Sequence, residues 1–129
     1  VTTPYGPASL VDEVHDWLTQ ATALQGSVRI ADLDLAPNVD PPAAIVGPPI
    51  AEPRTPGSDG GGPVRYRLTV WVVVGESDRA FRDLLEHTEA VVRVLDEPAG
   101  ITIVEWRPTT FPVGQTELPA YAIDLEVTA

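Results

Sequence analysis

The chain contains no cysteine. That removes disulfide bridges, thiol nucleophiles and cysteine metal ligands, although it leaves the redox compartment open. Lysine is missing too, so all eight basic residues are arginine. With abundant Ala, Val, Asp and Pro, this is the mark of a high-GC coding bias and bears on origin more than on mechanism. Positive charge is scarce against nineteen acidic residues, and the net charge is −11. Wrapping nucleic acid needs clustered Lys/Arg to displace counterions, so that function class is disfavoured. Solubility alone accounts for such a charge; it also suits a protein that stays near DNA without sticking to it. No apolar run reaches about 18 residues, so no membrane span is expected. No basic-then-apolar leader opens the chain, which argues against Sec-type export.

What is present is enough for one domain: 129 residues with 43% hydrophobic content support a core without staples. The strongest local unit is residues 64–95, a long strand running into an amphipathic helix. Val64, Tyr66, Leu68, Val70, Val72 and Val74 share one face; Arg65, Arg67, Thr69, Trp71 and Val73 share the other. Period-two alternation rich in β-branched and aromatic residues predicts a strand. Its second face passes from charged to apolar, so it leaves solvent and enters a covered region or an interface.

A lead-in with Pro4, Gly6 and Pro7 precedes a helix predicted over residues 10–25, with Ser9 as N-cap, Asp12 three positions on, and Gly26 as the stop. Leu10, Val11, Val14, Trp17, Leu18, Ala21 and Leu24 form its apolar face. Val28 and Ile30 predict a short strand interrupted near Ala31, and residues 43–47 a buried one. Residues 48–63 hold five prolines and four glycines and cannot build a core. They are expected to form a long hairpin arm with a mobile tip between two strands; loops of this length are usually functional or disordered. The second helix is predicted to begin at Ser77 and to bury Phe81, Leu84, Leu85, Thr88, Val91, Val92 and Leu95, with a Glu89–Arg93 pair outside. A strand over residues 101–107 is expected to stop at Pro108, followed by an irregular connection over residues 109–119. The closing strand, residues 120–128, alternates between a core face (Tyr121, Ile123, Leu125, Val127) and a wet face. The order is α-β-β-α-β-β: an α+β two-layer sandwich, with two helices on one face of a four-stranded, mostly antiparallel sheet.

The search for chemistry yields little. His15 and His87 lie on helices without a surrounding motif. A calcium loop counted from Asp32 needs glycine at its sixth position and glutamate at its twelfth; Pro37 and Ala43 stand there. The glycine run after Ser58 and Asp59 lacks the Lys-Ser/Thr of a phosphate loop, and no Gly-x-Ser-x-Gly is present. Glu105, Asp124 and Glu126 come near one another across strands, where carboxylates on an open face are ordinarily solvated. The expectation is no enzyme, no metal and no cofactor. What remains is contact surface. Trp71, Val73, Trp106 and Phe111 exceed what a helix-covered face holds, and aromatics are enriched at interfaces. The alternative is that helix one and the proline-rich segment cover them.

Several stretches together carry a resemblance: Pro-Pro-Ala-Ala-Ile-Val at residues 41–46, Arg-Tyr-Arg-Leu-Thr-Val-Trp-Val-Val-Val at 65–74, Ser-Asp-Arg-Ala-Phe at 77–81 with its Leu-Leu, and Ala-Tyr-Ala-Ile-Asp-Leu-Glu-Val at 120–127. The chain, over about residues 10–127, resembles the tail terminator (tail-completion) proteins of long-tailed phages, particularly those infecting high-GC Gram-positive hosts. The likeness rests on element order and residue character, without a signature motif. It implies a virion protein forming a hexameric ring at the neck, assembled in the host cytoplasm. The ring would cap the tail tube, stop its polymerisation and meet a head-side connector protein, while DNA passes without specific binding. On that reading Pro49, Ile50, Arg54, Arg65, Arg67, Trp71, Trp106 and Phe111 are candidate subunit-interface residues, with the Arg65 and Arg67 end of the long strand pairing with acids of the next subunit. Asp59, Glu105, Asp124 and Glu126 are candidate lumen or surface acids. Deleting residues 57–62 is expected to disturb ring assembly or docking; unaltered hexamers and normal tail length would count against the arm. Two alternatives stand beside it: another head–tail connector or minor tail subunit, and a small cytoplasmic α+β ligand- or partner-binding module.

Overall fold

A computed structural model describes residues 7–25, 27–32, 40–51, 65–98 and 100–128. The described elements are α1 (Pro7–Gln20), β1 (Arg29–Asp32), β2 (Ala43–Val46), β3 (Ile50–Ala51), β4 (Arg65–Val73), α2 (Ala80–Leu95), β5 (Ile101–Val113) and β6 (Thr116–Thr128). The fold is α+β. Its sheet has six strands in the order β1-β2-β4-β6-β5, with β3 also paired to β4. Only β1–β2 is parallel; the other pairings are antiparallel.

β4 is the organising strand. Its inward residues Tyr66, Leu68, Val70 and Val72 join Ala44 and Val46 of β2 and Ile123, Leu125 and Val127 of β6 beneath the helices. Leu10, Val14 and Leu18 of α1 and Leu84, Val91, Val94 and Leu95 of α2 complete that core. Each large side chain so buried contributes about 1.5–3 kcal/mol before entropy is subtracted. The same edge of β4 carries β2 and then β3. Val46 faces Val70, whereas Ile50 faces Arg67, so the register slips by one residue across Gly47, Pro48 and Pro49. The slip is a bulge that lets two prolines pass a sheet edge. At Gly47 a side chain would collide with the Trp71 ring at 2.5 Å and the Thr69 carbonyl at 2.9 Å.

Beyond β4 the sheet continues as one long hairpin. The connection expected over residues 109–119 is in fact strand: β5 runs through Pro108 and Pro112, and β6 begins at Thr116. The two strands turn between the Val113–Thr116 pair. Gly114 has φ +62°, and no described non-glycine residue has positive φ, the pattern of a type II′ hairpin turn. The prolines are tolerated because of where they point. Pro119 O accepts from Val74 N, so the backbone groups of Pro119 face β4. Its partner Thr110 therefore faces away from β6, and so do Pro108 and Pro112 at the same parity. Neither proline removes a ladder bond, and each deletes a donor from an exposed edge, which blunts that edge against further strand pairing.

The second sheet face also has a core at one end: Ala31, Ile45, Val73, Phe111, Leu118 and Ala120, with Trp71 and Val113 against it. Trp71 and Phe111 stand with ring centroids 5.4 Å apart. Trp71 pairs with Ala122 and Phe111 with Leu118. In a flat sheet their Cα atoms would be about 16 Å apart, four residues along and two strands across. The distal hairpin therefore curls over this face. On the face expected to be wet, Asp124 and Glu126 are partly exposed, whereas Ala120 and Ala122 are buried.

Other expectations change in detail. The sheet has six strands where four were expected. α1 begins with Pro at its first position, which suits a residue without an N–H, so Ser9 lies inside the helix and is not its cap. The helix ends at Gln20, not Gln25, and turns carry the chain to Leu24. β1 runs through Ala31 without interruption. α2 starts at Ala80, because Ser77 Oγ accepts from Arg79 N in a preceding turn. Phe81 is 68% exposed instead of buried, and Trp17 is 40% exposed. The i,i+4 ion pair of α2 is Arg82–Glu86 at 3.6 Å; Glu89–Arg93 is not formed among the described residues.

Candidate functional site

Two surfaces carry the polar and aromatic groups of interest. The first is the uncovered end of the second sheet face, built by cross-strand neighbours of β3, β4, β6 and β5. The row Ile50–Arg67–Glu126 runs across it, with Thr69–Asp124–Glu105 and Arg107 beside it. Arg65 Nε lies 2.9 Å from Glu126 Oε1. Asp124 accepts from Thr69 Oγ1 at 2.8 Å and forms an ion pair with Arg107. The hydrogen bond to Asp124, then its charge, raises the Arg107 pKa above its ordinary value, with a smaller contribution from Glu105. Both pairs are partly exposed, so each is worth well under a buried pair. Arg65, Arg67 and Arg107 stand against Glu105, Asp124 and Glu126, and the patch is neutral in sum.

This geometry changes the roles expected of several residues. Arg65 has its acidic partner in its own chain, on Glu126, and does not wait for a neighbour's. Asp124 and Glu126 are compensated by arginines and contribute little net negative potential to a lumen. Arg67 is exposed and forms no ion pair among the described residues, since Glu126 opposite it is engaged by Arg65. Ile50, its direct partner on β3, is 69% exposed. Phe111 is buried inside the second core and presents little surface; Trp71 beside it is half-buried. Trp106 lies on the other face, 5.7 Å from the Tyr121 ring, and is 40% exposed. Pro49 is half-buried, and Glu105 is exposed. Arg54 and Asp59 lie outside the described residues, as does most of the expected arm over residues 48–63; its two ends are seen as Pro48 to Ala51 on one side and Arg65 on the other.

The second surface lies on the helix layer. A groove of about 420 Å³ lies between α1 and the turn entering β5, with Leu10, Val14, Pro98 and Ile101 as apolar walls and Glu13, Asp16, Trp17 and Gln20 along α1. A neighbouring hollow of about 310 Å³ shares Trp17 and Gln20 and adds Glu97. Among the described residues no basic side chain lines either one. Trp17 is fixed by its indole N–H, which donates to Val94 O at 2.9 Å and satisfies a carbonyl in the last turn of α2. Oε2 of Glu13 is shut off from solvent and has no hydrogen-bond partner. The sequence carried a signal for this. Glu13, Trp17 and Gln20 are spaced i, i+4, i+7 and share one helix face, a signal hidden because Trp17 also fits the apolar stripe of α1. Among the described residues no group of three or more His, Asp or Glu side chains is placed to hold a metal ion.

Fold and surfaces together define an α+β sandwich with one helix-covered sheet face, one face divided between a small core and a charged patch, and a blunted edge. No protein-family model matches the chain, and no curated protein matches it. Among the described residues no helix is long and apolar enough to cross a membrane.

Proposed function

We propose that the chain is a structural virion protein, a tail terminator that forms a ring on the tail tube, stops its polymerisation and joins it to the head-side connector. The observation that carries this reading is the spread of large exposed apolar side chains over separate parts of the fold. Ile50 (69%) lies on the second sheet face, Phe81 (68%) at the start of α2, and Val104 (51%) at a bulge in β5. A subunit gripped by two ring neighbours and stacked between two other components uses several such contact points; single exposed apolar residues also occur on monomers, so imaging separates the two. Strand-to-strand pairing through β5 is blocked by Pro108 and Pro112, so ring contacts on this side are made by side chains. The DNA would pass a surface whose charge comes from acids other than Asp124 and Glu126. The likeness in element order to tail terminators supports the neck as the place of assembly.

Negative-stain imaging of the purified protein, alone and mixed with tail tubes, tests the reading. A six-fold ring seated on the tube end is the expected result. Rings found at another level of the neck would make the chain a different connector, and a monomer at all concentrations would refute a ring altogether. The groove beside Trp17 favours a second reading, a small binding module, which a monomer with saturable ligand binding would support.

A further inference from the structure

Two features of this chain are unfinished in the single subunit and complementary to each other. The groove on the helix layer is apolar at its walls, acidic at Glu13 and Asp16, and without a cation among the described residues. Glu13 Oε2 is secluded with no donor. Asp16 is the exposed carboxylate of the groove, and with Glu13 beside it the groove carries negative potential that a cation from outside would lower. On the opposite face of the sheet, Arg67 is exposed and makes no ion pair among the described residues. Beside it stands Ile50, 69% exposed and directly across the ladder, with Cβ atoms of such a pair about 5 Å apart. One surface offers an apolar side chain and a guanidinium; the other offers apolar walls, a tryptophan and carboxylates.

We infer that the Ile50–Arg67 patch of one copy docks in the Glu13–Trp17 groove of the next. The guanidinium of Arg67 enters between Glu13 and Asp16 and lies against the Trp17 ring, a contact that arginine makes better than any other side chain. Ile50 covers the apolar wall. The two surfaces lie on opposite faces of the sheet, so no chain can satisfy its own groove, and two copies cannot satisfy both grooves by a two-fold axis through one patch. The contact is head-to-tail and repeats from copy to copy, which closes a ring or grows a filament. Arg65 and Arg107 do not compete for the groove, because Glu126 and Asp124 hold them. The inference deepens the ring reading and rests on it.

Charge exchange tests it, with the mass of the assembly read by native mass spectrometry and sedimentation across a concentration series. Arg67→Glu and Asp16→Arg should each weaken assembly by about tenfold or more, as expected when like charges meet at an interface. The Arg67→Glu/Asp16→Arg double variant should recover a large part of the loss. Asp16 is exposed, so its replacement leaves the fold intact; Glu13→Gln provides a second, milder variant at the secluded position. Circular dichroism melts establish that each variant is folded. In the wild-type assembly the Trp17 indole N–H resonance should shift with concentration, and Arg67→Glu should abolish the shift. Rings that form equally well with Arg67→Glu would overturn this contact and leave the ring itself standing. Single variants that both weaken assembly without mutual rescue would also overturn the pairing. A wild-type protein that stays monomeric would remove the contact and the ring together.

Discussion

Among the described residues Thr88 is the one fully buried polar side chain in the core, and its hydroxyl has no hydrogen-bond partner. It sits on the buried face of α2 with Leu84, Val91 and Leu95. A threonine in mid-helix commonly bonds back to the carbonyl four residues earlier; here it does not. Stranding a hydroxyl in an apolar surround costs about 1–3 kcal/mol. Valine has almost the same shape and a similar helix propensity. Thr88→Val should therefore stabilise the protein by about 1–2 kcal/mol, a rise in Tm of roughly 4 °C per kcal/mol at this chain length. Urea unfolding at fixed protein concentration is the assay, since self-association raises apparent stability by mass action. The midpoint should move up with the slope unchanged. Thr88→Ser, which keeps the hydroxyl and loses the methyl, should fall by about 1 kcal/mol. If Thr88→Val proved neutral or destabilising, the hydroxyl would have a partner in solution and the reasoning would fail.

Gly47→Ala places a Cβ against both the Trp71 ring and the Thr69 carbonyl, and because one of these is backbone the clash does not relax by rotation. A loss of about 1–3 kcal/mol is expected, with a shifted Trp71 emission in the folded state. At Gly114 nothing lies within 4 Å of an added Cβ, so Gly114→Ala isolates the cost of φ +62°. That cost is about 1 kcal/mol in thermal melts, and Gly114→Asn should recover part of it. Arg107→Met removes a half-exposed ion pair with Asp124 and should cost no more than about 1 kcal/mol, less at high salt; a larger, salt-independent loss would show that the pair is buried in the assembly.

The expected fold was legible where a residue's neighbours along the chain decide its environment. β4 alternates as read, from exposed Arg65 and Arg67 to buried Val73, and α2 buries its stripe from Leu84 to Leu95. The reading failed at Pro108, Pro112 and Pro119. A proline looks like a strand breaker until it is known which side of the strand its missing donor faces: at Pro108 and Pro112 that is the free edge of β5, and at Pro119 it is β4 at Val74, one residue past the end of that strand. Phe111 and Leu118 looked like loop or interface residues for the same reason. Phe81 satisfied the helical period yet stands outside the core, because the period fixes a direction around the helix and not how far the sheet extends beneath it. Trp17 departs in the same sense: it is 40% exposed and lines the groove, with its indole N–H held by Val94 O.

By itself, then, the sequence determined the class of fold, the faces of β4 and β6 and the helical stripes, since these follow from backbone periodicity and the tendency of apolar side chains to leave water. It also determined what the chain cannot do with sulfur. Only the tertiary structure decided which cations are spent within the chain and which remain. Arg65 and Arg107 are matched across the ladder by Glu126 and Asp124, and Arg67, of the same type and on the same face, forms no ion pair among the described residues. Cross-strand pairing joins residues tens of positions apart, so charge compensation is a property of register. Composition gives the net charge of −11, but only register leaves Arg67 without an ion pair among the described residues.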